Sequence, residues 1–600
     1  MNVADYIVKF LSDRGVETIF MITGGQAMFL NDAVYRDRKI SPIFSHHEQA
    51  AGMAAEAYGR TSGKLGVAMV TAGPGAINVL NGVVGAYCDS SPVMVISGMS
   101  PSSNVAYMEK NKIRQYGLQG INIKPFAQSV TKYFKSVDDP SKIQYYMEKA
   151  YYLATTGRPG PVWIEVPLDV QRMEVPTRLL ESYVIDLKKS GGPELKKDVG
   201  KLVSLLTKSE RPLILAGQGI RLAGAVEEFR DVLEVLKAPV ITTRLGIDLV
   251  ESDNLLFVGR PGLYGDRGAN IAVQNADLII CVGARLDTGI VGYDAKDWGR
   301  HAKKVVVDID IEELNKPGVS IYIKVVSDAK QFLQELLKQL KDKKIHDFAK
   351  WQRICSDWKN KYPTVFPSYK RQKPVNSYYF SERLSQQASS DDIILVDTSS
   401  VFHVVSQSWQ LKLGQRFLTT GGISTMGYWV AAIGACLGSS RRQTLVITGD
   451  GSLQMNIQEL ATIKQNKLPI KIFVINNSGY LLIRHTQKTH MGGRLMGESA
   501  KTGLWCPDSL KIAKAYGICA VSINSPNEVD SKIKRVLDFK GPVICDVKSP
   551  QWQLIIPRIS SSKRPDGTMV SKPYEDLYPF LSKKELDFNM TIALKTGKGK

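Results

Sequence analysis

Paired cysteines, long apolar runs and acidic residues are scarce in this chain, and each shortage closes off a class of protein. The seven cysteines, at 88, 281, 355, 436, 506, 519 and 545, are odd in number and form no CxxC pair. That spacing supports neither a disulfide framework nor a structural zinc site, and it points to reduced thiols in a cytoplasmic protein. No apolar run reaches the roughly 18 residues that a membrane-spanning helix needs, so no membrane partner is expected. The opening stretch, MNVADYIVKFLSDRGVETIF, carries Asp5, Asp13 and Glu17 among apolar residues at helical spacing. It reads as an amphipathic domain helix, because a secretory signal needs an unbroken apolar core and a transit peptide avoids acids. Acidic residues number 58 against 78 Lys and Arg, a net charge of +20. Such an excess attracts anions, whether nucleic acid, an acidic membrane surface or phosphorylated small molecules; a solvated lysine face would give the same count.

What the chain does have is length. Six hundred residues with 44% hydrophobic and 23% charged side chains is an ordinary globular composition, and at about 150 to 200 residues per domain it predicts three domains with full cores. Residues 1–175 set TIFMITGG, LGVAMVTAGPG, PVMVISG and GPVWIEVP between helical stretches. Strands alternating with helices give a parallel sheet covered on both faces. A polar stretch, LKKSGGPELKKD at 187–198, reads as a linker into a second run over 190–345 that holds RPLILAGQG, PVITTR, DLIICVGAR and KKVVVDID. A basic, aromatic connector over 346–376 leads to a third run over 370–550 with DIILVDTSS, RFLTTGG, QTLVITGDG, IKIFVINN and PVICDVK. The predicted class is α/β, three doubly wound parallel-sheet domains. The tail over 551–600 has little periodicity and is expected to wrap the surface or fray.

The strongest chemical signal begins at Gly449, in GDGSLQMNIQELATIKQNKLPIKIFVINN. The apolar strand TLVIT delivers Gly449, Asp450 and Gly451 to its C-terminal end, where open parallel sheets bind ligands. The strand KIFVI delivers Asn476 and Asn477 to the same edge. A carboxylate and an amide on neighbouring strand ends are hard oxygen donors suited to Mg²⁺ bound together with a diphosphate. The glycines let backbone approach phosphate oxygens, and the helix after Gly451 aims its N-terminal amides at them. Two ordinary strand-end turns would look alike locally; what distinguishes this pair is the 27-position separation of Asp450 and Asn477. In the first run, SPIFSHHEQAAGMAAEAYGRTSG places Glu48 beside packed Ala and Gly. That makes a partly desolvated carboxylate able to hold a proton, although a helix-capping acid would read the same way. His46 and His47 lack a third ligand at metal spacing and read as structural or substrate-contacting. GQGIRLAG, from Gly217, has the look of a dinucleotide loop without its third glycine.

With these motifs, and over nearly its whole length, the chain resembles the acetolactate synthase branch of the thiamine diphosphate-dependent enzymes. The resemblance implies a pyrimidine-binding domain over 1–175, a central domain over 190–345 and a diphosphate-binding domain over 370–550. It implies Mg²⁺ held by Asp450, Asn477 and the backbone carbonyl of Gly479, with Gly449, Gly451 and Ser452 around the diphosphate. It places Glu48 at N1′ of the aminopyrimidine, favouring the imino tautomer that takes the thiazolium C2 proton before attack on a 2-keto acid, pyruvate above all. TAGPGAIN would contribute Gly73 and Asn78; Met426, in GGISTMGYW, matches the wedge that bends the cofactor; Gln119, in QYGLQG, matches a glutamine that donates to the reacting carbonyl. Central domains of this family bind FAD without redox use, and Gly283, Arg285 and Asp287 in VGARLDTG partly match the flavin segment. The family also shares each cofactor between the first domain of one subunit and the third of another, hence a homodimer or homotetramer.

Two departures bear on the acceptor. Where the family carries RFDDR, whose last arginine grips the carboxylate of a second keto acid, this chain has Arg285, Leu286, Asp287, Thr288 and Gly289. Where the family has a tryptophan after NN, this chain runs GYLLIRHTQ, with His485, Thr486 and Gln487 in that segment. Together with TGG at 23–25, LND at 30–32 and PDGTMVSKPYEDLYPFL near the end, this resembles acetolactate synthase-like proteins of surface-polysaccharide biosynthesis, some of which pass an acetyl unit to a nucleotide-linked ketosugar. Arg484, His485 and Arg494 would suit a phosphorylated acceptor, and read equally well as solvated helix residues. The expected function is a carboligase that decarboxylates a 2-keto acid and transfers the acyl unit to a second 2-keto acid or a ketosugar. The alternatives are a simple 2-keto acid decarboxylase and, from another class, a non-catalytic binder of anionic ligands or nucleic acid. Diphosphate, rather than nucleic acid, is the expected partner for the positive charge.

Overall fold

The computed structural model describes residues 1–175, 180–185, 192–341, 343–563, 566 and 569–595. Eighteen strands form three six-stranded sheets, and every pairing within them is parallel. The first holds β1 (Thr18–Met21), β2 (Ser41–Phe44), β3 (Gly66–Val70), β4 (Val93–Met99), β5 (Tyr133–Ser136) and β6 (Val162–Pro167) in the order β2-β1-β3-β4-β6-β5. The second holds β7 (Pro212–Ala216), β8 (Val240–Thr242), β9 (Phe257–Gly259), β10 (Leu278–Val282), β11 (Lys303–Asp308) and β12 (Ile323–Val326), ordered β12-β11-β10-β7-β8-β9. The third holds β13 (Ile393–Val396), β14 (Arg416–Thr419), β15 (Thr444–Gly449), β16 (Ile470–Asn476), β17 (Cys519–Ile523) and β18 (Val543–Lys548), ordered β14-β13-β15-β16-β18-β17. The central strands are buried along their length, as expected of sheets covered by helices on both faces.

Two stretches read from sequence as connectors carry helices. Pro193 opens the helix Pro193–Leu206, so the second half of the polar stretch at 187–198 is structured, and its first half lies outside the described residues. Proline suits a first helical turn, where its missing N–H has no partner to lose. Within 346–376, the helix Ala349–Lys361 buries Trp351, Cys355 and Trp358, three residues spaced to share one face, against the central domain. The tail wraps as expected. Its described part returns to the helix Arg267–Asn275, where Asn270 Nδ2 donates to Tyr574 O at 2.9 Å and Asn275 Nδ2 to Asn589 O at 3.2 Å.

The first and third sheets share a core. The helix Glu48–Ser62, rich in Ala and Gly, packs on the helix Ala432–Gly438 so closely that a Cβ on Gly434 would lie 1.8 Å from Ala54 O. Small residues on both helices permit that approach. Beside it sits a buried polar knot in which Glu56 accepts from Arg60 Nη1 at 3.2 Å and from Ser91 Oγ at 2.8 Å, and from the hydroxyl of Tyr428. All seven cysteines are free, and no described helix is long and apolar enough to cross a membrane.

Candidate functional site

Strands β15 and β16 pair in parallel through Gly449 opposite Ile475, which leaves Asp450 and Asn477 just beyond adjacent strand ends. Both are buried, at 4% exposure each. Asp450 accepts from its neighbour Gly451 N at 3.0 Å and from Gly479 N at 2.9 Å. Burial pushes its carboxyl up to about 6, with those two amides acting the other way. Asn477 Oδ1 is buried with no hydrogen-bond partner among the described residues. A desolvated carboxylate next to an orphaned amide oxygen is a paired deficit that an oxygen-seeking divalent cation would relieve, so this donor set fits Mg²⁺.

The turn between them is tightly built. Gly479 sits at φ +132°, and a Cβ there would lie 2.0 Å from Glu498 O. Gly451 lies beneath the ring of Tyr480, whose Cε1 would be 2.1 Å from a Cβ. Its lack of a side chain is therefore required by aromatic packing, a reason the GDG pattern alone did not reveal. At Gly449 a Cβ would meet nothing closer than Val401 Cγ2 at 3.8 Å. Ser452 Oγ donates to Asp397 Oδ2 at 2.6 Å and accepts from Gly427 N at 2.7 Å, which ties the half-buried Met426 loop to the Asp450 turn.

In the first domain, Glu48 is the first residue of its helix and is buried. Asn78 Nδ2 donates to Glu48 Oε2 at 2.9 Å. Gly75 lies against the other oxygen, with its Cβ position 3.4 Å from Glu48 Oε1. Gly73, at φ +61°, backs onto Gln119, whose carbonyl would lie 2.8 Å from a Cβ. The structure thus brings Glu48, Gly73, Asn78 and Gln119 to one corner of the sheet edge. His46 N and His47 N both donate to Glu459 Oε1, at 2.8 and 2.9 Å, and His47 Nδ1 caps the helix by accepting from Gln49 N at 3.1 Å. His47 thus has a structural role as the helix cap, and Glu459 holds the backbone amides of both histidines. Glu459 and Asp397, both fully buried, are site-shaping acids that sequence reasoning passed over; the only signal was that Asp397 ends a strand.

The basic segment after Gly479 behaves differently from its reading as an acceptor site. Arg484 is buried and donates to the Glu498 carboxylate, to Asn477 O and Gln551 O at 2.9 Å each, and to Ser478 O. It is a staple for the Asn477–Gly479 turn. His485 is buried too, with Nε2 3.0 Å from Gln553 O, and burial together with Arg558 lowers its pKa. Thr486 and Arg494 are exposed.

The central sheet borders a cavity of about 520 Å³ lined by Thr243, Arg244, Arg260, Tyr264, Arg285 and His403 among others. Asp89, Gln218, Gly283 and Arg285 also line a neighbouring hollow that extends to Asp308 at the end of β11. Arg285 pairs with Glu313 at 3.1 Å and donates to Cys88 O at 2.9 Å, and Asp287 caps a short helix by accepting from Ile290 N at 3.3 Å. Gly289 lines the same cavity. Gly217 and Gly219 pack directly on Gly283, so that their glycine character serves loop packing.

Three parallel sheets, with an Asp and an Asn on adjacent strand ends of the third and a buried glutamate in the first, describe a thiamine diphosphate enzyme. Residues 1–127, 199–336 and 397–547 match, in turn, the N-terminal TPP binding domain, the central domain and the C-terminal TPP binding domain of the thiamine pyrophosphate enzymes. The chain is 35% identical over 566 residues to the "Probable acetolactate synthase large subunit" of Methanocaldococcus jannaschii, covering 91% of this chain and 92% of that one. It is 32% identical over 566 residues to the acetolactate synthase large subunit of Lactococcus lactis, covering 93% and 94%, and 31% identical over 572 residues to the chloroplastic acetolactate synthase 3 of Brassica napus, covering 93% and 85%. The chain belongs to the acetolactate synthase large-subunit family of thiamine diphosphate-dependent enzymes.

Proposed function

We propose that the protein uses thiamine diphosphate and Mg²⁺ to decarboxylate a 2-keto acid, pyruvate in the first instance, and passes the acyl unit to a carbonyl acceptor. The observation that carries this is the buried Asp450 beside the orphaned Asn477 Oδ1 on paired strand ends. These two, with the Gly479 carbonyl, hold the metal. Gly449, Gly451 and Ser452 would frame the diphosphate, and Met426 would stand as the wedge against the cofactor. Thiamine diphosphate, when bound, supplies the electron sink for decarboxylation. Glu48 holds and moves a proton at N1′ of the pyrimidine, and the Asn78 hydrogen bond fixes its carboxylate for that task. Gln119, at the same corner, donates to the substrate's carbonyl oxygen.

The acceptor is a carbonyl compound that needs no carboxylate grip at position 289, where glycine offers no side chain. This favours a ketosugar over a second 2-keto acid. The central cavity, with the neighbouring hollow that reaches Asp308, is the proposed place of FAD as a resident, non-reacting group. A homodimer or homotetramer completes each site, and the cytoplasm is the proposed location. Pyruvate consumption with thiamine diphosphate and Mg²⁺ should be lost in Glu48→Gln while cofactor binding persists. Equal turnover by the two proteins would overturn the mechanism. Product analysis with a panel of acceptors separates carboligation from release of free aldehyde.

A further inference from the structure

Strand β2 ends at Phe44 and the next helix begins at Glu48 itself, so residues 45–47 alone set how that carboxylate leaves the sheet. Ser45 N still donates to Met21 O at 3.0 Å, as a continuation of the strand. His46 N and His47 N lie past the ladder and ahead of the helix, where the backbone offers an amide no partner of its own. Both donate instead to one side-chain oxygen, Glu459 Oε1, at 2.8 and 2.9 Å. Its other oxygen, Oε2, lies 2.8 Å from Thr462 Oγ1, and that hydroxyl lies 3.1 Å from Phe44 O. Two third-domain side chains therefore hold the short connection at both of its ends.

Glu459 is fully buried, beside Leu460 and Ile463, which share a core with Ala50 and Ala51 of the Glu48 helix. It opens the helix Glu459–Gln465, nine residues on from Asp450. A carboxyl group in such a place costs stability unless its bonds are made, and here the amides it serves would themselves be buried and unsatisfied without it. The Glu48 side chain has its own partner in Asn78 Nδ2 at 2.9 Å. That bond orients the carboxylate, but it cannot keep it in place if the backbone beneath it shifts, and a shift of about 1 Å in a reacting geometry can cost about a hundredfold in rate.

We propose that Glu459 is a positioning residue for proton transfer at Glu48: by holding His46 N and His47 N it fixes the start of the Glu48 helix, and it does so through hydrogen-bond geometry rather than charge. The inference rests on the role given to Glu48 above. Geometry suffices because a glutamine at 459 keeps every bond: its Oε1 accepts from the two amides, its Nε2 donates to Thr462 Oγ1, and the hydroxyl turns to Phe44 O. Alanine has no oxygen to offer, and aspartate, one methylene shorter, draws its oxygens back from the amides.

Two readouts test this, and neither is turnover. The first is amide hydrogen exchange in the full-length protein without cofactor, followed in peptides spanning residues 44–50. Glu459→Ala should exchange there about tenfold faster or more, and Glu459→Gln should match wild type. The second is the rate at which the holoenzyme, saturated with thiamine diphosphate and Mg²⁺ and given no substrate, exchanges the thiazolium C2 proton for solvent deuterium. Glu459→Ala should slow that exchange about tenfold or more, and Glu459→Gln should stay within about threefold of wild type. A lowered first thermal transition in Glu459→Ala with C2 exchange at the wild-type rate would make the residue a brace between domains and nothing more, and overturns the inference. So does unchanged amide exchange in Glu459→Ala, or a Glu459→Gln protein as slow at C2 as Glu459→Ala. Glu48→Gln is the reference: if it exchanges C2 like wild type, the role of Glu48 falls and this inference with it; if it is slow while Glu459→Ala is not, this inference falls alone. Should Glu459→Ala fail to fold, Glu459→Asp decides by the same two rates.

Discussion

Replacing Arg484 by methionine tests whether a residue that touches no cofactor controls the metal site. The side chain joins Glu498, itself buried, and carbonyls at Asn477, Ser478 and Gln551. Removing one partner of a buried ion pair costs about 3–5 kcal/mol, because the remaining charge stays desolvated. For a domain of this size that is a fall of about 10 °C in the first thermal transition; a three-domain chain does not unfold in one step, so that transition is the proper readout. The released Asn477–Gly479 turn should also bind Mg²⁺ more weakly, seen by titrating the metal against thiamine diphosphate binding. Glu498→Gln keeps an acceptor for the guanidinium and should cost less. The double variant should be milder than the sum of the two, by about 1–3 kcal/mol, since no lone charge is left behind. An Arg484→Met protein with unchanged first transition and unchanged Mg²⁺ affinity would refute the staple. So would strict additivity in the double variant.

Gly451→Ala should abolish cofactor-dependent turnover by driving a methyl into Tyr480, and adding Tyr480→Ala should restore cofactor binding; if the double variant binds no better, the ring is not the obstacle. Gly434→Ala forces a methyl onto the Ala54 carbonyl, a rigid backbone atom, and should cost about 3 kcal/mol or more, visible as loss of soluble protein or early separation of the first and third domains by proteolysis. Glu165, buried in β6, has its carboxyl raised from 4.5 to about 7 by burial, against an opposing hydrogen bond from Ser136. Below pH 4.5 it is neutral folded or unfolded; between there and about pH 7 only the unfolded chain ionises, so stability falls as pH rises through that window. Glu165→Gln should therefore gain up to about 3 kcal/mol over wild type at about pH 8 and little at about pH 4, read from urea midpoints; the same difference at both pH values would contradict the assignment.

The alternation of apolar strands with helical stretches was enough to anticipate three parallel sheets, because the central strands are buried on both faces and show as unbroken apolar runs. The Asp450–Asn477 pair was legible for a related reason: the strands of a parallel sheet present their C-terminal ends at one edge, and β15 and β16 are neighbours in it. What sequence could not show was who holds whom across long separations. Arg484 looked like a free cation for an acceptor, yet its partners Glu498 and Gln551 lie 14 and 67 residues away and absorb it entirely. His46 and His47 read as structural or substrate-contacting, and the glutamate that holds both their backbone amides lies more than 400 residues on. The reverse holds for Arg244 and Arg260, unremarkable in PVITTR and GRPG: the fold sets Arg244 over the Phe402 ring and holds Arg260 on Ser406 O and Ser252 Oγ. Free donors at a site come from charges the tertiary structure leaves unpaired, and a count of +20 carries no record of which those are. Among the described residues, Arg244 and Arg260 each keep a buried Nε without a partner, and both line the central cavity.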